Sequence, residues 1–553
     1  MPALHHSPTP AASPAQLPAL DPTVQAFTDP GQRLDSLGHT HFIGIGGAGM
    51  SVLAQMLKQA GLDVSGSDQQ ASAKTAELES MGIPVAIGQA ADHVRGAQTV
   101  VWSSAIKSHN PEILAARAQG STLVHRSDIL ALLLASHVGV TVAGAHGKTT
   151  TSALLAHILR LAGRGETADP SYAIGGSIQS LQGPQDGGHL GSGRVLVAEA
   201  DESDGSFEKY HPSIAVITNV EPDHLDHYGS PQAFQEAFAQ HARHAQGSVI
   251  ISGDDQGSRQ LLTDLRGKCQ AEIVVYTTAS EKEVGQEGWD TWAQVVRIMA
   301  EQESQGSGQE QFTLKFPQGL SRRFGLLAQD GALPVQLAIP GLHNARNAAA
   351  AMIAACGLGL EPAAAAQAAA SFLGAARRFE VKGSVHGVSL VDDYAHHPTE
   401  IAALLAAARR RYPQAQLRVL FQPHLFSRTQ IFAREFASAL AAADDVIVTG
   451  VFPARELQSD FPDIGPQTIV QAFQELDNGQ DSGRMERSAG RFEAVSDMNR
   501  AARRLAERAQ AGDVLLTVGA GDITRMGPVI LQALAEGSSG AQEVGEVAGN
   551  ERL

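Results

Sequence analysis

Cysteine is almost missing: 553 residues hold two, Cys269 and Cys356. Two thiols so far apart exclude a disulfide framework and a cysteine-based zinc site, and they fit a reducing, cytoplasmic setting. An excess of positive charge is missing as well. The formal net charge of −17 argues against nucleic acid or an acidic lipid surface as a partner, yet leaves nucleotides open, since those need only a local cationic site. No apolar run is long enough for a bilayer; the longest strongly apolar one, Ile129 to Ala135, falls far short of a span. The first 38 residues are rich in Pro, Ala and Ser and lack a basic start followed by an apolar core, so they read as a disordered tail, not a signal peptide. Residues 537–553 read the same way. No internal repeat is evident.

What is present is a long alternation of strand-like and helix-like runs, the pattern of α/β domains with parallel sheets. The length is too great for one core and suggests about three domains. The expected division is a first domain over 39–136, a central one over 137–339 and a third over 340–536. Strands are expected at 41–45, 85–87, 99–103 and 122–124 in the first. In the second they fit 138–143, 195–198, 214–220, 249–251 and 273–276, and in the third 388–391, 417–421, 445–449 and 514–518. The Gly-rich stretch 164–194 reads as a long loop, and 281–338 as a polar, β-rich excursion.

The most informative stretch is Gly144-Ala145-His146-Gly147-Lys148-Thr149-Thr150, between an apolar strand and an apolar-faced helix. Glycines there let backbone N–H groups approach phosphate oxygens, and the helix N-terminus adds partial positive charge. Lys148 supplies a point charge, and the Thr149 hydroxyl suits Mg²⁺. The spacing is shorter than a full P-loop, because Val142 stands where the first glycine would be. A second glycine turn, Gly44-Ile45-Gly46-Gly47-Ala48-Gly49, follows the first strand and opens a helix, with Asp68 at the end of the next strand; alone it indicates a pyrophosphate site. Acidic clusters sit at the ends of two central strands, Glu199-Ala-Asp-Glu-Ser-Asp204 and Glu221-Pro-Asp-His224-Leu-Asp226. Carboxylates at that edge would hold Mg²⁺ against nucleotide phosphates, with Glu199 and His224 the strongest candidates. The third region carries Asp392-Asp393-Tyr394-Ala395-His396-His397-Pro398-Thr399-Glu400 and Gln422-Pro423-His424-Leu425-Phe426-Ser427-Arg428, two polar clusters at neighbouring strand ends. Residues 343–347 (His-Asn-Ala-Arg-Asn) and 377–379 (Arg-Arg-Phe) flank the junction of the second and third regions.

Seven such motifs in this order resemble the Mur ligases of peptidoglycan synthesis, and among them the branch that adds L-alanine; the resemblance covers roughly residues 40–535. It implies three domains: a Rossmann-like domain for the UDP-sugar, a central P-loop-type ATPase domain with a parallel sheet, and a C-terminal Rossmann-like domain that brings the amino acid. It implies an ATP-dependent ligase joining L-alanine to the lactyl carboxylate of UDP-N-acetylmuramate through an acyl phosphate. ATP and Mg²⁺, two ions, would be needed, and the protein would be a monomer or weak homodimer. By that resemblance Gly144 to Thr150, Asn344, Asn347, Arg378 and Asp393 would bind ATP. Thr149, Glu199 and His224 would bind metal, and Lys148, Glu199, His224 and His396 would be catalytic. Gly46, Gly47, Ala48, Gly49, Met50, Ser51, Asp68, Ser103, His125 and Arg126 would take the UDP-sugar. Tyr394, His396, His424 and Arg428 would line the amino-acid end. Ala145, the Leu425-Phe426 pair and the segment around Arg455 depart from the family pattern. Gly229 to Gly247 contains no lysine, so no carbamylated lysine is expected there. An NAD-dependent oxidoreductase built on the turn at 44–49 would leave Lys148, Glu199 and His224 without a purpose.

Overall fold

The computed structural model describes residues 19–543 apart from 28, 30, 181–182, 301–307, 455 and 479–490. Three sheets carry the architecture, and the chain clusters into two compact units, Met1–Ser136 with Ser203–Tyr210, and His137–Glu202 with His211–Leu553.

The first unit holds a five-stranded, wholly parallel sheet in the order Val85–Ile87, Val64–Asp68, Thr40–Ile43, Thr99–Trp102, Thr122–His125. Its order reverses between Thr40–Ile43 and Thr99–Trp102, and the first glycine turn leaves the sheet at that crevice, where α/β sheets bind ligands. All four residues of Thr40–Ile43 are buried, as expected of a strand covered on both faces. The stretch read as a tail is not loose throughout. Leu37 is buried within a short 3₁₀ turn, Leu20 packs against the core around Trp102 and Ile113, and the Ala26 N–H donates to Asp128. Apolar residues inside a Pro- and Ala-rich context anchor this segment; residues 1–18 lie outside the described residues.

In the second unit a ten-stranded sheet surrounds the strand Val138–Ala143, flanked by Ile214–Ile217 and Val195–Glu199. Its far edge is antiparallel: Gln294–Ala300, Glu310–Lys315 and Ala332–Leu337 form the β-rich excursion expected from sequence. The expected loop 164–194 is different from its reading. It adds Ser171–Ala173 and Gly188–His189 to the other edge, strands too short to leave a periodic signature. Helices Leu342–Gly357 and Pro362–Ala369, on the third-domain side of the boundary expected at 340, pack into the central core. Their alanines are the reason: Ala345, Ala348, Ala349 and Ala365 are fully buried, and side chains this small let the helices approach Lys148–Ala162 closely. The six-stranded third sheet runs Glu380–Val385, Val388–Asp393, Val514–Val518, Leu417–Phe421, Asp445–Val448, Arg491–Ala494, antiparallel only at the first pair. The last helix, Met526–Glu543, extends into the stretch read as a C-terminal tail. Among the described residues no helix is long and apolar enough to cross a membrane.

Candidate active site

In the first unit, Gly47 is the N-cap of helix Ala48–Gln59, and Met50 and Ser51 turn into the core while Gly47 and Ala48 stay exposed. The Asp68 carboxylate accepts the Gly46 N–H at 2.9 Å, so this acid shapes the turn itself. Arg126 lies over the turn: a Cβ on Gly49 would stand 3.0 Å from its Nη1. A guanidinium beside a helix N-terminus is the arrangement a pyrophosphate needs. His125 is buried, with ring nitrogens 2.8 Å from Ser127 Oγ and 3.3 Å from Ser104 Oγ, and Asp204 3.5 Å away. Such a ring fixes neighbours more than it greets a ligand. Ser103 is half-buried at the strand end.

In the second unit, Gly144 (φ 136°) and Gly147 (φ 84°) take conformations that suit glycine alone, and a Cβ on Gly147 would sit 2.5 Å from Asn347 Oδ1. Lys148 opens the helix. Its Nζ donates to Gly144 O at 2.6 Å and to Glu202 at 2.9 Å, and lies 3.4 Å from the carbonyl of Ala145. Burial opposes the Lys148 charge, but Glu202, Asp201 and Glu199 outweigh it and hold the ammonium above its usual range. Glu199 is pushed up by burial against the hydrogen bond from Thr149, and its Oε1 is buried without a hydrogen-bond partner. A hydroxyl and an orphaned carboxylate oxygen beside a phosphate turn fit Mg²⁺, a hard cation that takes oxygen ligands. His224 stands in a left-handed backbone conformation (φ 52°), its Nε2 3.8 Å from Asp223.

A cavity of about 260 Å³ opens behind the turn. His146, Gly147 and Thr150 line it with Asn344, Asn347, Arg378 and Asp393, all seven from the set expected to bind nucleotide and Arg378 and Asp393 from the third-sheet region. Asn344 donates to Pro340 O at 2.7 Å, and Asn347 to Asn344 at 3.4 Å. Burial raises Asp393 to about 6 although Arg378 and the N–H groups of Phe379 and Ala395 oppose it.

Sequence reasoning missed the carboxylates that organise this region. His146 has one on each ring nitrogen, Glu221 Oε2 3.1 Å from Nε2 and Glu400 Oε1 3.3 Å from Nδ1. Against burial, these two raise His146 to about 9. Glu400 also accepts the N–H groups of His396 and His397 and lies 3.5 Å from Arg378. Burial pulls His397 below the usual imidazole range, with the nearby His146 acting in the same direction. The HHPTE pattern shows Glu400 as an ordinary first-turn acid; only the fold reveals its partners.

The amino-acid candidates do come together. Tyr394 and His396 meet edge to face at 5.3 Å, His396 and His424 at 5.6 Å, and His424 stacks on Phe452 at 5.7 Å. Arg377 and Arg378 lie 4.8 and 5.1 Å from the Tyr394 ring centre. Burial drives His396 down to about 3, so its imidazole is neutral. Arg428 is buried and forks onto Asp223 at 2.6 and 2.9 Å, and that guanidinium, against burial, holds Asp223 well below the usual carboxylate range. Leu425, one of the expected departures from the family pattern, is buried at φ 66° with its N–H on Phe452 O, and Phe426 stacks on Phe461. Arg455 lies outside the described residues.

Three family models match in order: the Mur ligase family catalytic domain over residues 39–138, the Mur ligase middle domain over 142–355, and the Mur ligase glutamate ligase domain over 377–521. A protein of Bifidobacterium adolescentis named UDP-N-acetylmuramate–L-alanine ligase is 57% identical across 93% of this chain and 96% of its own length. One of the same name from Renibacterium salmoninarum is 43% identical across 92% and 98%. Among solved structures, the UDP-N-acetylmuramate–alanine ligase of Thermotoga maritima aligns over 91% of this chain and 99% of its own, with 26% identity and a TM-score of 0.67. With three sheets, two glycine turns and these matches along its length, the chain belongs to the Mur ligase family.

Proposed function

We propose that the chain is an ATP-dependent ligase that joins L-alanine to the lactyl carboxylate of UDP-N-acetylmuramate, yielding ADP and phosphate, in the synthesis of peptidoglycan precursors. One observation carries the reading: a single compact unit holds Lys148 in a glycine turn, the orphaned Glu199 oxygen beside it, and the Tyr394–His396–His424 cluster on the third sheet. The relatives named for this reaction support it.

The carboxylate of the sugar's lactyl group attacks the γ-phosphorus of ATP and becomes an acyl phosphate. Lys148, charged and fixed against Gly144 O, offsets the charge on the transferring oxygens. Thr149 and Glu199 would hold Mg²⁺, which supplies further charge neutralisation at the phosphates; His224 is the candidate for a second ion. The neutral amine of L-alanine then attacks the activated carbonyl, and phosphate leaves. His396, kept neutral by burial, presents an acceptor for the amine proton. Asn344, Asn347 and the cavity beside them take the nucleoside, and the turn at 44–49 with Arg126 takes the UDP pyrophosphate.

The test is ATP consumption with substrates omitted in turn. Phosphate release that requires both UDP-N-acetylmuramate and L-alanine supports the reading, and release that needs neither, or only one, removes it. Glycine and L-serine run in parallel define the amino-acid preference.

A further inference from the structure

His146, Glu221 and His397 each present one ligating atom, and the three atoms lie within 4.8 Å of one another. They come from three separate elements of the second unit: the phosphate turn, the loop after strand Ile214–Ile217, and the residue before helix Pro398–Arg411. The Nε2 of His146 is 3.1 Å from one Glu221 oxygen, and the Nδ1 of His397 is 3.7 Å from the other. Around a tetrahedral zinc ion with bonds of roughly 2.0–2.1 Å, neighbouring ligand atoms stand about 3.3 Å apart. The two imidazole–carboxylate separations lie near that value, each nitrogen facing its own Glu221 oxygen, and drawing all three side chains onto one ion takes a small closure from the 4.8 Å limit.

Two further observations point to a ligand. His397 is only 4% exposed, edge-on to Phe432, and its Nδ1 has no hydrogen-bond partner. A buried polar nitrogen left unpaired is costly unless something else satisfies it. The ligands are also oriented from behind as metal-bound side chains are: Glu400 faces the other nitrogen of His146 at 3.3 Å, and the Thr399 hydroxyl donates to Glu221 at 2.7 Å. We propose that His146, Glu221 and His397 form a site for a borderline divalent cation of the Zn²⁺ or Co²⁺ type, separate from the oxygen ligands Thr149 and Glu199. Two imidazoles and a carboxylate suit such an ion and not Mg²⁺. Bound there, it cross-links the phosphate turn to the start of the third-sheet helix and takes the place of the hydrogen bond between His146 Nε2 and Glu221.

The experiment adds Co²⁺ alone to the full chain in millimolar Mg²⁺ and follows its visible absorption, with Zn²⁺ as competitor and thermal melting as a second readout. The expected result is one saturating equivalent with no thiolate charge-transfer band, a Zn²⁺-dependent rise in Tm, and an affinity at least about 10-fold weaker in His397→Ala. Glu221→Gln, which keeps the size of the side chain, should weaken binding similarly and decides the matter if His397→Ala fails to fold. Glu199→Gln should bind Co²⁺ as the wild type does. No saturable spectrum, a thiolate band, or a signal lost in Glu199→Gln and kept in the other two variants overturns the proposal. None of these readouts depends on ligase activity, so their failure is distinct from failure of the functional reading.

Discussion

Gly44 to Gly49 and Gly144 to Thr149 each join a buried parallel strand to the N-terminus of a helix, and each begins on a glycine with positive φ. The first turn is lightly held. Ser67 O accepts the N–H groups of Gly44 and Ile45, one carboxylate, Asp68, accepts that of Gly46, Arg126 covers one face, and the helix start is exposed. The second is held from all sides. Asn219 bonds both the N–H and the carbonyl of His146, Thr218 donates to the same carbonyl, Lys148 is clamped, and the His146 ring lies between two carboxylates. A turn that only binds a pyrophosphate can remain open to it. A turn where charge shifts during reaction must have its dipoles fixed beforehand, because reorganising them costs rate.

Removing charge from each turn is the sharpest way to break the comparison. Lys148→Ala should abolish acyl phosphate formation, lowering turnover by about 10³-fold or more, while UDP-N-acetylmuramate binding followed by calorimetry stays near the wild-type value. Near-normal ligation would sink the role assigned to Lys148. Backbone constraint comes next. Gly147→Ala adds strain of roughly 1–3 kcal/mol plus the clash with Asn347, so ATP affinity should fall by about 10-fold or more. Gly61→Ala is its control: Gly61 has the same φ of 84° with open space around it, and nucleotide titration should show no change.

On the first turn, Asp68→Asn keeps the shape and loses the charge-assisted acceptor. The loss of about 1 kcal/mol should appear as a several-fold rise in KM for the UDP-sugar with kcat little changed. An effect on kcat as large as that of Lys148→Ala would erase the distinction between the turns. The smallest effect concerns pH. Burial, with Arg346 and Arg378 adding to it, holds His343 down to about 4. The folded chain therefore keeps this ring neutral where the unfolded chain takes up a proton. Its contribution to stability is complete above pH 6.5 and is lost as the pH falls through about 4. In His343→Leu the loss of Tm between pH 7.5 and about pH 5.8 should shrink by an amount equivalent to about 1 kcal/mol; an unchanged slope would show that His343 is not the group responsible.

Much of this was legible in the residues. Strands 138–143, 417–421 and 514–518 appear at their expected bounds because they are short runs dominated by Val and Leu and closed by glycine or polar residues. Both turns were visible because their chemistry is local. What escaped was long-range or too short to be periodic. Glu221 reaches His146 across 75 positions, and no spacing rule links them. Ser171–Ala173 and Gly188–His189 are too brief for an alternating pattern, and the Gly-rich surroundings favoured a loop. The helices after 340 carry alanines on nearly every face, so their sequence gave no sign of which core they join.

The anchored segment before the first strand bears on how the chain can be shortened. Asp128 and Lys209 form a buried pair at 2.9 Å, and the Ala26 N–H donates to the same Asp128 oxygen, while the carbonyl of Leu37 accepts from Thr99. A trimmed protein starting at His39, the first residue of the family match, would expose that ion pair to solvent and leave Thr99 without its acceptor. Protease sites, purification tags and fusion partners therefore belong ahead of Leu20, where a cut removes none of these bonds.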